Sequence, residues 1–235
     1  MIDIDLIDHA NTPIGTIYLG RRRIKTREEW VYEIQISGQM LMSSLNNVSE
    51  RQISTSALGL HQGTQPLRVL VGGLGLGYTA QAALESDRVA SVRVVEKMDF
   101  VIDWMNRGLL PLSEQFAADE RLEIRQGDVY QDLLGPATEQ FDVIIVDVDH
   151  APDSRLAEGN GAFYTVEGQR LVAQHLAPGG VLAVWSAWDH DGFDAVLGEA
   201  YPRSRREEVR WDDEEETGAW FHNMLFFAGN LAADA

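Results

Sequence analysis

Cysteine is absent from the 235 residues. That excludes a disulfide framework, thiolate nucleophiles and thiolate zinc sites, and it suits a reducing compartment. Cations are also scarce: 19 Lys and Arg stand against 37 Asp and Glu, a formal net charge of -18. Binding nucleic acid by neutralising phosphates needs a surplus of cations on some face, so no nucleic-acid partner is expected. The one basic cluster, Arg21-Arg22-Arg23-Ile24-Lys25, is short, is followed by Glu28 and Glu29, and reads as a solvated hairpin tip. An acidic surface attracts cationic small molecules but equally serves solubility. No apolar run is long enough to span a bilayer. The opening Met1-Ile-Asp-Ile-Asp alternates apolar with acidic residues, unlike a secretory leader. No membrane partner is expected, and a cytoplasmic location is.

What is present is a regular alternation of strand and helix patterns, the signature of an α/β fold in which helices cover a mostly parallel sheet. Short apolar runs begin at Arg68, Ser91, Leu122, Phe141 and Gly180, with a late pair around Glu207–Trp211 and Asn223–Ala228. Between them, stretches from Thr79, Phe100, Thr165 and Phe193 carry apolar residues at helical spacing. The late pair is joined by the polar link Asp212-Asp-Glu-Glu-Glu-Thr-Gly, too short for a helix, which predicts an antiparallel hairpin at the sheet edge. A parallel sheet ending in such a hairpin is the pattern of the Rossmann-like class I methyltransferase fold, by analogy of fold alone. Residues 1–66 alternate in shorter segments broken by Asn11-Thr-Pro and Ser37-Gly38, which predicts a small N-terminal antiparallel β unit. A helix over Asn47–Leu60 then links it to a core domain at 67–235.

The first core strand runs into Leu70-Val-Gly-Gly-Leu-Gly-Leu-Gly-Tyr-Thr. Gly73, Gly75 and Gly77, with Leu74 between them, would let backbone approach a ligand closely; tight strand–helix packing would explain them too. Context favours a ligand. The second strand ends in Glu96-Lys97, about twenty residues beyond the glycines, where an acid can accept both ribose hydroxyls of a nucleoside. The third strand is followed by Gly127-Asp128-Val129, where an adenine edge would lie, or where Asp128 would cap the next helix. These residues fall in order at the carboxyl ends of successive strands, where open α/β sheets bind ligands.

The fourth strand ends in Val146-Asp147-Val148-Asp149-His150-Ala-Pro-Asp153, crowding carboxylates and an imidazole at the same edge. Close carboxylates can hold a cationic amine, and one can take its proton. They could instead cap the following turn. No further ligand pattern supports a metal, and none is expected. Trp185 and Trp188 suit either a pocket or the core, and His61, His175 and His222 read as structural.

Taken together, Leu41-Met-Ser-Ser, Val71 to Thr79, Val95-Glu96, Gly127-Asp128, Asp147-Val-Asp149, Phe163-Tyr164 and Pro178 to Ala187 resemble the spermidine synthase family of polyamine aminopropyltransferases, in its short bacterial branch. The resemblance implies decarboxylated S-adenosylmethionine, or S-adenosylmethionine itself, as co-substrate. It also implies an amine acceptor such as a polyamine and a dimer or higher homo-oligomer. By position, Glu96 would bind ribose, Asp128 the adenine amino group, and Asp147 the reacting amine. Asp149 and His150 would assist it, and Tyr164 would belong to the catalytic set. The resemblance departs at Leu76, where the family has the Asp that receives the donor's amine, and at His150, where it has a second Asp. It departs again at Asn46-Asn-Val-Ser-Glu-Arg-Gln, where the family has an acceptor-holding Tyr-His-Glu stretch. Aminopropyl transfer is the leading expectation. A methyltransferase on the same fold and a non-catalytic nucleoside-binding protein are the alternatives.

Overall fold

In the computed structural model, residues 4–12, 15–23, 29–36, 38–148, 151–153, 158–212 and 220–231 are described. Alternating residues make four antiparallel strands in the order of the chain, β1 (Ile4–Thr12), β2 (Gly15–Arg23), β3 (Trp30–Ile36) and β4 (Gln39–Ser43). One face of this sheet sends Ile17, Leu19 and Ile34 into the main core, while Tyr18 stays outside. Helix α1 (Val48–Leu60) buries Ile53, Ala57, Leu58 and Leu60. It lies against the larger sheet's β9 (Leu176–Ser186) and against α2 (Tyr78–Leu84).

The larger sheet has seven strands. Besides β9, they are β5 (Leu67–Gly72), β6 (Val89–Glu96), β7 (Leu122–Gln126), β8 (Phe141–Val146), β10 (Arg203–Asp212) and β11 (Trp220–Gly229), in the spatial order β10-β11-β9-β8-β5-β6-β7. Strands β7, β6, β5, β8 and β9 run parallel. The expected hairpin forms, with a refinement the sequence does not show. It is β11 that pairs antiparallel with β9, so the chain skips one place, lays down β10 at the edge and returns between them. Beyond Asp212, the hairpin's acidic link falls outside the described residues.

Buried strands send alternate residues to opposite faces. In β8, Val143 and Ile145 join the core beneath α1, α2 and the small sheet. Ile144 and Val146 join a second core on the other face, with Phe163, Phe193 and Phe226. That second core is covered by α5 (Val129–Leu134), α6 (Val166–Val172) and α7 (Asp191–Ala200). Helices α3 (Asp99–Asn106) and α4 (Ser113–Ala118) complete the first layer. Five helices, α1, α2, α3, α6 and α7, start within two residues of their expected positions; the short α4 is absent from the sequence reading, and α5 enters it only as the helix Asp128 might cap. From β5 the chain moves outward to β6 and β7, then crosses back to β8 on the other side. The carboxyl ends of β5 and β8 therefore form the switch point, where a crevice opens.

Candidate functional site

The crevice is a cavity of about 550 Å³, within the range of small-molecule sites. Its floor depends on glycine. Gly73 follows β5 with φ +94°, and a Cβ there would lie 2.3 Å from the Asp147 carbonyl oxygen, so only glycine lets β5 and β8 close at this point. Gly77, with φ +98°, starts α2, where a Cβ would press on the Phe116 ring at 2.8 Å. The Asp147 N–H donates to the Gly72 carbonyl at 2.9 Å, which ties the two strand ends together.

Glu96 ends β6 and is nearly buried. Its Oε2 accepts from the Leu74 N–H at 2.8 Å and its Oε1 from the Met98 N–H at 2.7 Å. These bonds lock the carboxylate against the glycine loop and leave each oxygen a lone pair for a ligand. Beyond β7, Asp128 does two jobs. Its Oδ1 accepts from the Tyr130 and Gln131 N–H groups at 3.0 and 3.3 Å, capping α5, and its Oδ2 accepts from the Lys97 ammonium at 2.8 Å. Burial pushes the Asp128 carboxyl up, but the Lys97 ammonium and the backbone donors outweigh it and hold it below the usual range. The capping and binding readings of Asp128 are thus compatible.

Asp147 follows β8. Its Oδ2 accepts from the Thr79 hydroxyl at 2.6 Å. Burial raises its pKa, and the Thr79 bond offsets this only in part. Glu50, from the first turn of α1, lines the same cavity, and its Oε2 accepts from the Ser49 hydroxyl at 2.8 Å. The Ser49 oxygen in turn accepts from Trp185 Nε1 at 3.1 Å. Burial and the nearby charge of Asp147 push the Glu50 carboxyl up to about 7.

No family model matches the chain. Over 161 residues it is 30% identical to the polyamine aminopropyltransferase of Oceanobacillus iheyensis, an overlap of 68% of this chain and 30% of that protein. The chain therefore spans about 30% of the length of the curated relative it matches. Among solved structures it superimposes on a spermidine synthase in complex with the transition-state analogue AdoDATO. The TM-score is 0.72 at 20% identity, over 96% of this chain and 73% of that one. The spermidine synthase from Thermotoga maritima gives 0.69 at 19% identity, over 96% and 72%. The chain is thus similar in sequence to a polyamine aminopropyltransferase and shares the fold of the spermidine synthases.

Gly73, Leu74, Gly75, Gly77, Glu96, Lys97, Asp128, Val129 and Asp147 all line this same cavity. Tyr164 stands one layer back: its hydroxyl meets that of Tyr130 at 3.1 Å, and it is Tyr130 that reaches the lining. Asp149 and His150 lie outside the described residues. Trp185 lines the cavity, whereas Trp188 is 40% exposed and donates to Asp153 at 3.1 Å. His61, His175 and His222 take no part in the lining.

Sequence reasoning missed Glu50, Tyr78, Asn160 and the apolar wall of Ile17, Ile34 and Met42 supplied by the small sheet. The signal for Glu50 was slight: one acid at a helix start, inside a stretch that reads as a departure from the family. Among the described residues there is no cluster of three or more His, Asp or Glu able to hold a metal, and no helix long and apolar enough to cross a membrane.

Proposed function

We propose that this chain transfers an aminopropyl group from decarboxylated S-adenosylmethionine to an amine, with a polyamine as the acceptor class. The observation that carries this reading is the charge pattern of a single cavity. A locked carboxylate, Glu96, suits a ribose diol, while two carboxylates with raised pKa, Asp147 and Glu50, suit a cationic amine. The relative's name, polyamine aminopropyltransferase, supports the same reading.

The residues present fit the donor. The positive-φ glycines allow close backbone approach, Glu96 can take the ribose hydroxyls, and Asp128 keeps acceptor capacity for an exocyclic amine. The bound donor supplies an electrophilic carbon next to a sulfonium. The acceptor nitrogen attacks that carbon, a C–N bond forms, and the C–S bond breaks with its electron pair going to sulfur. The products are methylthioadenosine and an alkylated amine. An alkylamine with the Lys reference pKa of about 10.4 must first lose a proton, at a cost of about 4–5 kcal/mol at pH 7. Asp147, whose burial raises its basicity, is placed to accept it. Holding the amine in line lowers the barrier further.

Methyl transfer from intact S-adenosylmethionine fits less well. The donor's carboxylate would enter a lining where Glu50 and Asp147 repel it, and Lys97, the one basic side chain among the described lining residues, is engaged by Asp128. A non-catalytic binding protein would not need a buried carboxylate at the reacting end. The reading extends to a cytoplasmic homodimer or higher homo-oligomer without a metal. Incubating the protein with each donor separately and a panel of amines, then identifying the nucleoside product by mass spectrometry, tests it. Methylthioadenosine is expected; adenosylhomocysteine would establish methyl transfer, and no product would favour the binding protein.

A further inference from the structure

Glu50 and Asp147 line the same cavity from different elements, the first turn of α1 and the end of β8. Each carboxylate is held by one neighbouring hydroxyl, Ser49 for Glu50 and Thr79 for Asp147. Neither has a cationic partner among the described residues. The other charged or titratable groups near Glu50 are Tyr78 on α2 and Arg51 on α1. Arg51 donates to Gln81 at 2.8 Å and to Glu85 at 2.6 Å, pointing its charge along the outside of α2. Lys97 is held by Asp128 at 2.8 Å. Two carboxylates that line one largely apolar cavity, with the charge of Asp147 felt at Glu50, cannot both ionise cheaply, and one cation shared by them removes the conflict.

The geometry points to Glu50 and Asp147 as a paired seat for one aliphatic ammonium group, with Glu50 as the residue that gives the cavity its selectivity for amine-bearing ligands. This rests on the aminopropyl-transfer reading and names the group that recognises its charge. The ammonium has two sources, the terminal amine of the donor or an amine of the acceptor. Burial and the charge of Asp147 bring the Glu50 carboxyl to about 7, so that without a ligand cation Glu50 carries a proton in a sizeable share of molecules at neutral pH. An entering ammonium takes the place of that proton, which leaves to solvent. The Trp185–Ser49–Glu50 chain of hydrogen bonds fixes the Glu50 carboxylate for this role.

Calorimetry on wild type and Glu50→Gln at neutral pH tests the seat with three probes. They are methylthioadenosine, which has no amine; its analogue carrying a 3-aminopropyl group on a neutral thioether; and 1,4-diaminobutane added to the methylthioadenosine complex. Methylthioadenosine should bind both proteins within about twofold, which also shows that the variant is folded. At least one ammonium probe should lose about tenfold or more in the variant. Loss confined to the thioether amine places the donor's ammonium in the seat, and loss confined to diaminobutane places the acceptor's. Wild type should release protons on binding the affected probe, read as a heat that varies with buffer ionisation enthalpy, and Glu50→Gln should not. Unchanged affinity for both ammonium probes, or an equal loss for all three, would overturn the proposal. Binding is read here without turnover. Failure of aminopropyl transfer would show separately, as absence of methylthioadenosine from the donor assay while the binding difference persists.

Discussion

The Thr79 hydroxyl donates to Asp147 Oδ2 at 2.6 Å, joining the first turn of α2 to the end of β8 across the glycine loop. Asp147 Oδ1 has no hydrogen-bond partner among the described residues, and burial raises the pKa of this cavity-lining carboxyl. An acceptor that is fixed in place and basic is what proton removal from an amine needs. Asp147→Asn keeps the shape and can still accept from Thr79. It should lower turnover about a hundredfold or more while leaving methylthioadenosine affinity nearly unchanged, the pattern of an interaction used in the transition state. Steady-state rates beside equilibrium binding check this; retention of most turnover would remove Asp147 as the base.

Glu96 offers charge-assisted acceptors to a ribose diol. Glu96→Ala should weaken methylthioadenosine binding by about 1.5–3 kcal/mol, roughly ten- to a hundredfold. The substitution also releases the Leu74 and Met98 N–H groups, so the loop should exchange its amide hydrogens faster. Calorimetry and hydrogen exchange read the two effects separately.

Asp128 carries a capping role and a proposed adenine role, which one substitution can separate. Asp128→Ser keeps an N-cap hydroxyl but removes the carboxylate. Stability should change by less than about 1 kcal/mol, while the preference for adenosine over inosine ligands should shrink several-fold. Undiminished preference would leave Asp128 as a cap and ion-pair partner only.

Gly73→Ala probes the junction of β5 and β8. The added methyl would meet the Asp147 carbonyl oxygen at 2.3 Å on a backbone with φ +94°. A loss of about 2–4 kcal/mol is expected from overlap and strain together. Denaturant unfolding measures it, and an unchanged midpoint would mean the loop relaxes freely.

Glu50 gives a pH dependence whose sign is fixed. A carboxyl with a raised folded-state pKa binds its proton more tightly when folded. Its contribution to stability is complete below the unfolded value and is lost as pH rises through the folded one. For Glu50 the window runs from the ordinary 4.5 to about 7. Asp147, also raised, acts in the same direction. Glu50→Gln, which cannot ionise, should therefore gain on wild type as pH is raised from about 5 to about 8 in thermal melts of ligand-free protein. A gap that stays constant would place Glu50 in a solvated setting.

Much of the fold was legible because it is written in local patterns. The buried run Phe141–Val146 and the positive-φ glycines carry their own signals, and Glu96, Asp128 and Asp147 are each found by adjacency to a strand end. Other features depend on contacts between distant segments. The insertion of β11 between β9 and β10 leaves no trace in either strand's pattern, since both pairings need the same alternation. Glu50 shares a cavity with Asp147, 97 residues onward in the chain, only because α1 packs on α2 and β9. The apolar wall of Ile17, Ile34 and Met42 is likewise a product of docking: the same alternation serves a sheet face turned to any core. Tyr164 has the aromatic character of a site residue, but it is Tyr130 that lines the cavity.

The most direct measurement follows one donor through one turnover. The protein is mixed with stoichiometric decarboxylated S-adenosylmethionine and an excess of a diamine, and both products are quantified by mass spectrometry in the same sample. The account predicts methylthioadenosine and aminopropylated amine in equal amounts, dependent on Asp147. Methylthioadenosine without the alkylated amine, or turnover only with intact S-adenosylmethionine to give adenosylhomocysteine, would contradict it.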